Sequence, residues 1–254
     1  MATYKKRGYK PKDKGEGSGI PSDSTTAEVF STLDSSASKT EQWVARNQTY
    51  ILGVIGVVAV AVLAYLGYQK FIQEPREASA SNELFYPLQY FSQAQQDPTQ
   101  ADSLYTLALE GAEGKYGLLD IVDEYAGTRA ANLARYTAGI SYMNLKEYQQ
   151  AIDFLEDFQT EDAMLGPISL GNIGDAFMQL GQEKDALGYY ERAVKKDENN
   201  FTTPLYLQKA GVAALKLGQN DLALEYFSRI RDDYPNSAQA NGVEAYIGMA
   251  QKEN

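Results

Sequence analysis

Residues 50–68, YILGVIGVVAVAVLAYLGY, are nineteen positions without a charge, apolar on every face. As a helix rising about 1.5 Å per residue they cover about 28 Å, close to the hydrocarbon thickness of a bilayer. A core helix of a soluble domain keeps a polar outer face. The pattern therefore predicts a single transmembrane helix over residues 50–68. Trp43 and Tyr50 precede it, and Tyr65, Tyr68 and Phe71 close it, where interfacial aromatics anchor a span. Ser38-x-x-Glu41 has the form of a capping box and predicts the start of an anchor helix over 39–72. Before it, Val29, Phe30 and Leu33 form a short apolar cluster that predicts a marginal amphipathic helix.

Beyond the span the pattern changes from uniform to repeating. RYTAGISYMNLKEYQQAIDFL, SLGNIGDAFMQLGQEKDALGYYERAV and LQKAGVAALKLGQNDLALEYFSRI align. Gly139, Gly174 and Gly211 recur at spacings of 35 and 37, as do Ala151, Ala186 and Ala223. Tyr142 and Phe177 follow their glycines by three, with Ala214 in the third segment; Leu155, Tyr190 and Phe227 follow their alanines by four. Gly181 and Gly218 mark turns. This is the tetratricopeptide pattern of paired antiparallel helices. Where the helices cross, small residues let the backbones approach, and the aromatics are expected to fill the groove toward the next repeat. No single pair buries its own apolar face, so the pairs stack.

The fold class predicted is all-α: one N-terminal transmembrane helix, then a tetratricopeptide solenoid over 73–254 of three to four repeats plus a capping helix. Clear repeats are placed at about 132–166, 167–203 and 204–237, with the cap at 237–252. DIVDEYAGTRAANLA resembles RIRDDYPNSAQANGV, so residues 115–125 are expected to be the second helix of an earlier repeat whose first helix lies near 82–95. The connecting EGAEGKYG lacks GxxxxGK[ST] and reads as a turn.

Charge is divided between the two sides of the span. Residues 1–49 carry 8 Lys/Arg and 6 Asp/Glu; residues 71–254 carry 14 and 28. Six bases (Lys5, Lys6, Arg7, Lys10, Lys12, Lys14) lie in the first fourteen positions, which places the tail in the cytoplasm and the acidic domain outside. Residues 1–38, rich in Gly, Pro, Ser and charge, are expected to be a disordered basic tail. Ala78-Ser79-Ala80 has a cleavage-site look, but the long n-region and the intervening charges argue for an uncleaved anchor. An acidic domain argues against nucleic acid.

The chain has no cysteine and no histidine. Ser-His-Asp, Cys-His and His-metal sites are excluded by composition; a carboxylate-only metal site or a Ser-Lys pair stays formally open. With no convergent polar motif, the chain is expected not to be an enzyme and to need no cofactor or metal.

Two surfaces remain as candidate sites. Wound at about 100° per residue, Gly53, Gly56, Ala64 and Gly67 share an arc of about 80° on the span, a smooth face for a partner helix in lipid. The first helices of the repeats should line a concave groove with Tyr136, Ile140, Met143 and Asn144, then Asn172, Asp175, Met178 and Gln179, then Gln208, Val212, Leu215 and Lys216. Apolar positions with scattered amides and two methionines suit adaptable contact with a polypeptide. A carboxylate clamp is discounted, because only Asn172 matches its basic and amide pattern.

A basic tail, one span and an acidic tetratricopeptide domain together resemble the YfgM-type ancillary subunits of the bacterial Sec translocon. YGLLDIVDEYAGTRAANLARYTAGISY and FTTPLYLQKAG are also similar to the anchored tetratricopeptide proteins of Bacteroidota. The resemblance implies a non-catalytic, single-pass protein of the bacterial inner membrane, with its N-terminus cytoplasmic and its C-terminal domain periplasmic. It further implies contact with the SecYEG translocon, with membrane lipid, and with periplasmic chaperones or exported polypeptides. An envelope-assembly or cell-division adaptor without translocon contact is the alternative.

Overall fold

The computed structural model describes the backbone of residues 25–252 and the side chains of residues 40–251. The part of the basic tail within residues 1–24 lies outside the described residues. Two compact units are present, meeting between Gly67 and Tyr68.

The first unit contains α1 (Thr25–Tyr68), 44 residues long. It corrects the expected separate helix and its capping box. Val29, Phe30 and Leu33 fall inside the same helix as the apolar run, and Ser38 and Glu41 are interior to it. No glycine or proline interrupts residues 25–52, so nothing in the backbone chemistry ends the helix there. α1 is long and apolar enough to cross a membrane. Its large side chains lie open along the run, Tyr50, Val57 and Leu63 among them.

The second unit is helical throughout the described residues. A five-residue π-helical turn (Gln69–Gln73) precedes α2 (Glu74–Glu83) and α3 (Phe85–Gln96). Then come α4 (Ala101–Glu110), the seven-residue α5 (Leu118–Glu124) and α6 (Arg129–Asn144). The remaining helices are α7 (Tyr148–Glu156), α8 (Leu165–Gln179), α9 (Glu183–Lys196), α10 (Thr202–Lys216), α11 (Asn220–Asp233) and α12 (Val243–Lys252). Three pairs, α6/α7, α8/α9 and α10/α11, stack into a solenoid, and α12 packs on α11.

The crossings explain the repeated small residues. A Cβ on Gly139 would lie 2.5 Å from Leu155 Cγ; on Gly174, 2.6 Å from Tyr190 Cε1; on Gly211, 2.5 Å from Phe227 Cε1. The repeat pattern predicts these large residues in the groove toward the next repeat; each instead lies over the glycine of its own pair, because the missing Cβ there leaves room for it. Ala151, Ala186 and Ala223 are fully buried on the facing helices. The turns within the second and third pairs use Gly181 and Gly218, both at φ 69°, where a side chain is strained. In the first pair Lys146 takes that conformation at φ 63°.

The N-terminal part departs from the expected layout. Helix α4 was not anticipated, and it is α4 that pairs with α3. Tyr105, Ala108 and Leu109 bury its inner face. Its start is organised by Asp97, whose Oδ1 accepts from the Thr99 N–H at 3.0 Å and whose Oδ2 accepts from Gln100 Nε2 at 3.0 Å. EGAEGKYG joins α4 to α5, and α5 packs on α6.

Helix α2 is held to the α5–α6 turn by two adjacent residues. Arg76 Nη2 donates to the Glu124 carbonyl at the end of α5, at 2.7 Å. Glu77 accepts from the Arg129 and Ala130 N–H groups at the start of α6, at 2.8 and 3.0 Å. A cation at a helix C-terminus and an anion at a helix N-terminus both match the helix dipole. Glu77 thus caps α6 together with Thr128, whose hydroxyl accepts from the Ala131 N–H at 3.0 Å. Replacing Glu77 by alanine is expected to cost about 1–2 kcal/mol. Thermal unfolding followed by circular dichroism measures it; an unchanged midpoint would show that Thr128 alone suffices.

Candidate functional site: the groove of the first helices

Helices α6, α8 and α10 carry the residues predicted to line a groove, and packing divides them into two groups. Tyr136, Ile140 and Met143 spend much of their surface between the first and second pairs, against Ile152, Leu155, Ile173 and Ala176. The Tyr136 ring sits 5.0 Å from that of Phe158. Met178, Val212 and Leu215 pack likewise onto the core of the second and third pairs. Asn144, Gln179 and Lys216 are exposed; Asn172 and Gln208 are half-buried. Asn144 Nδ2 donates to the Ile140 carbonyl of its own helix at 2.8 Å.

Asp175 has partners that sequence reasoning did not assign. Lys209 Nζ of α10 donates to both its carboxylate oxygens, at 2.7 and 2.6 Å. The Tyr190 hydroxyl of α9 donates to Oδ1 at 2.7 Å. Lys209 lies 6.0 Å from the Tyr190 ring centre and 5.8 Å from that of Tyr206, and those two rings stack at 6.4 Å. One carboxylate therefore ties α8, α9 and α10 together, and Lys209 neutralises it. The available signal was spacing: Lys209 follows Asp175 by 34 residues, close to one repeat.

Burial, then the Asp175 charge, pushes the Tyr190 hydroxyl above its ordinary value; burial followed by the same charge does so for Tyr206. Tyr226 is raised by burial and then by its hydrogen bond to Glu191. A raised folded-state value means that the contribution is complete below the unfolded tyrosine value of about 10. Above it the unfolded chain ionises first, so stability falls as pH rises. The melting temperature is expected to decline between about pH 10 and 11.5, and Tyr190→Phe to shallow that decline. An unaltered slope in the variant would remove Tyr190 from the account.

A cleft of about 540 Å³ opens between α7, α8 and α9. Its charges are internally matched. The Tyr189 hydroxyl donates to Glu156, Arg192 lies over the Tyr189 ring at 4.4 Å, and Lys196 faces Glu161 at 3.8 Å. Among the described residues no group of three or more carboxylates is placed to hold a metal ion. On α1, a Cβ built at Gly53, Gly56 or Gly67 meets nothing within 4 Å, so that face is uncovered in the described structure.

Tetratricopeptide repeat models match residues 133–162 and 206–237, and a second tetratricopeptide repeat model matches 169–200. No curated protein matches the chain. Among solved structures, a crystal structure of MamA protein aligns with 66% of this chain and 91% of its own, at 16% identity and a TM-score of 0.41. The C-terminal part of the chain carries tetratricopeptide repeats, stacked as a helical solenoid.

Proposed function

We propose that this chain is a non-catalytic, membrane-anchored scaffold that holds polypeptides at the Sec protein-export site. The observation that supports it best is the combination, in one chain, of a membrane-length apolar helix and a stack of tetratricopeptide repeats. Tetratricopeptide domains bind protein partners, and a groove of apolar side chains with exposed amides offers contact without a demand for one sequence. On this reading the chain crosses the bacterial inner membrane once, with the repeats in the periplasm. Gly53, Gly56, Ala64 and Gly67 face a translocon helix. The groove from Tyr136 to Lys216 receives chaperones or emerging chains. The second reading, an envelope-assembly or cell-division adaptor, uses the same two surfaces with other partners.

A photo-cross-linker at position 56 separates them. Adducts to SecY or SecE are expected; adducts to division or outer-membrane assembly proteins would favour the second reading. Gly53→Leu with Gly56→Leu is expected to release the membrane partner in mild detergent. Protease added to spheroplasts is expected to digest the repeats, and full protection would reverse the topology.

A further inference from the structure

Two junctions between successive pairs are built from the same positions. Tyr189 and Arg192 of α9 correspond to Tyr226 and Arg229 of α11, 37 residues on, and Glu156 of α7 corresponds to Glu191, 35 residues on. In both junctions the tyrosine hydroxyl donates to the glutamate of the preceding second helix, Tyr189 to Glu156 and Tyr226 to Glu191. The first of these junctions holds the cleft of about 540 Å³ between α7, α8 and α9. That volume lies in the range of ligand pockets, about 300–1,000 Å³.

Three differences from the second junction open the cleft and set its chemistry. Helix α7 has 9 residues, whereas α9 and α11 have 14 each. Its continuation is drawn onto α6, where Asn132 binds both backbone groups of Gln159: Oδ1 accepts from the N–H at 3.0 Å and Nδ2 donates to the carbonyl at 2.7 Å. The chain therefore leaves the helical path after Glu156, and the space is held open by fixed contacts. Next, Ser169 stands 37 residues before Tyr206. Tyr206 is buried in its junction, whereas Ser169 lines the cleft beside Leu155 and Ile173.

The third difference is charge. Arg229 is held by Glu198 at 2.7 Å and Asp233 at 3.5 Å. Arg192 lies over the Tyr189 ring and makes no ion pair among the described residues. In the place of Asp233 stands Lys196, and in the place of Glu198 stands Glu161, which is 99% exposed and 3.8 Å from Lys196. The cleft thus has the same arginine without its carboxylates, and a cation where its counterpart has an anion.

We propose that this cleft takes a segment of a partner polypeptide that carries an aspartate or glutamate side chain close to an aromatic residue or leucine. The apolar side chain fills the space beside Ser169 that a tyrosine fills in the next junction. The carboxylate pairs with Arg192 and Lys196, as Glu198 and Asp233 pair with Arg229. The site lies among α7, α8 and α9, apart from the residues proposed to line the groove, and its test does not depend on the translocon reading.

A phage-displayed heptapeptide library, in which no peptide has a free C-terminus, is panned against the full chain in nanodiscs. Peptides with Asp or Glu close to Phe, Tyr, Trp or Leu are expected to be enriched. The most enriched peptide, made with an amide end and a fluorescein label, is then titrated by anisotropy. Arg192→Gln is expected to weaken its binding about tenfold or more, the loss of one hydrogen-bonded charge. Ser169→Tyr is expected to abolish binding and to leave the melting temperature unchanged or raised, because the ring enters the cleft. Should Ser169→Tyr fail to fold, Arg192→Gln decides alone. Enrichment of basic peptides, no enrichment, or equal binding to the Arg192→Gln chain overturns the proposal. So does equal binding to a folded Ser169→Tyr chain, which would place the peptide elsewhere. Tighter binding of the same peptide with its acid replaced by the amide and its C-terminus free also overturns it, since the carboxylate would then be a chain end.

Discussion

Gly171→Ala is expected to lower the melting temperature of the repeat unit by about 6–12 °C, corresponding to about 3 kcal/mol. Alanine is the better helix former by about 1 kcal/mol, so propensity alone predicts the opposite sign. Sterics decide. A Cβ at residue 171 would lie 1.9 Å from Tyr206 Cε1 and 2.2 Å from Cζ. The Tyr206 ring cannot step aside cheaply: it is 3% exposed, with Tyr190 stacked on it and α10 behind it. The overlap must separate α8 from α10 and loosen the Asp175–Lys209 pair. Combining Gly171→Ala with Tyr206→Leu is expected to recover most of the loss, the coupling that contact residues show in a double-mutant cycle. A Gly171→Ala chain that melts with the original would mean that the ring moves freely and the argument fails.

A larger loss, about 4 kcal/mol, is expected from Gly117→Ala. Here the obstructing atoms are backbone: Leu109 O at 2.2 Å, Gly111 N at 2.4 Å and Glu110 C at 2.5 Å from the built Cβ. No rotamer change relieves them. The loop between α4 and α5 must open, and it carries with it Leu118 and Ile121, both fully buried against Ala108 and Leu109. Gly114 in the same loop is the control. It lies at φ 74° with nothing within 4 Å, so Gly114→Ala should cost only the left-handed penalty of about 1 kcal/mol. Tryptic cleavage after exposed Lys115 is expected to accelerate in Gly117→Ala more than in Gly114→Ala. Equal rates would show that the close backbone approach does not hold the loop.

Much of this molecule was legible in local pattern. The nineteen uncharged positions specify a membrane-length helix because length and composition alone set that property. Gly139, Gly174 and Gly211, recurring with Ala151, Ala186 and Ala223, specify the helix pairs because a close crossing needs small residues; that Leu155, Tyr190 and Phe227 cover those glycines only the structure shows. The proposed groove is a set of positions on α6, α8 and α10. Which of its residues stay open depended on packing, and Tyr136, Ile140 and Met143 turned out to be half consumed by the junction between pairs.

What pattern could not supply were contacts between residues far apart in sequence. Arg76 and Glu77 meet the α5–α6 turn across about fifty positions, and no periodicity links them to it. Helix α4 was missed because it has no counterpart in the aligned segments. Lys209 joined Asp175 only when α10 was laid beside α8. Sequence fixes which residues can approach closely; whether anything arrives there is decided by the neighbours that the folded chain brings into reach.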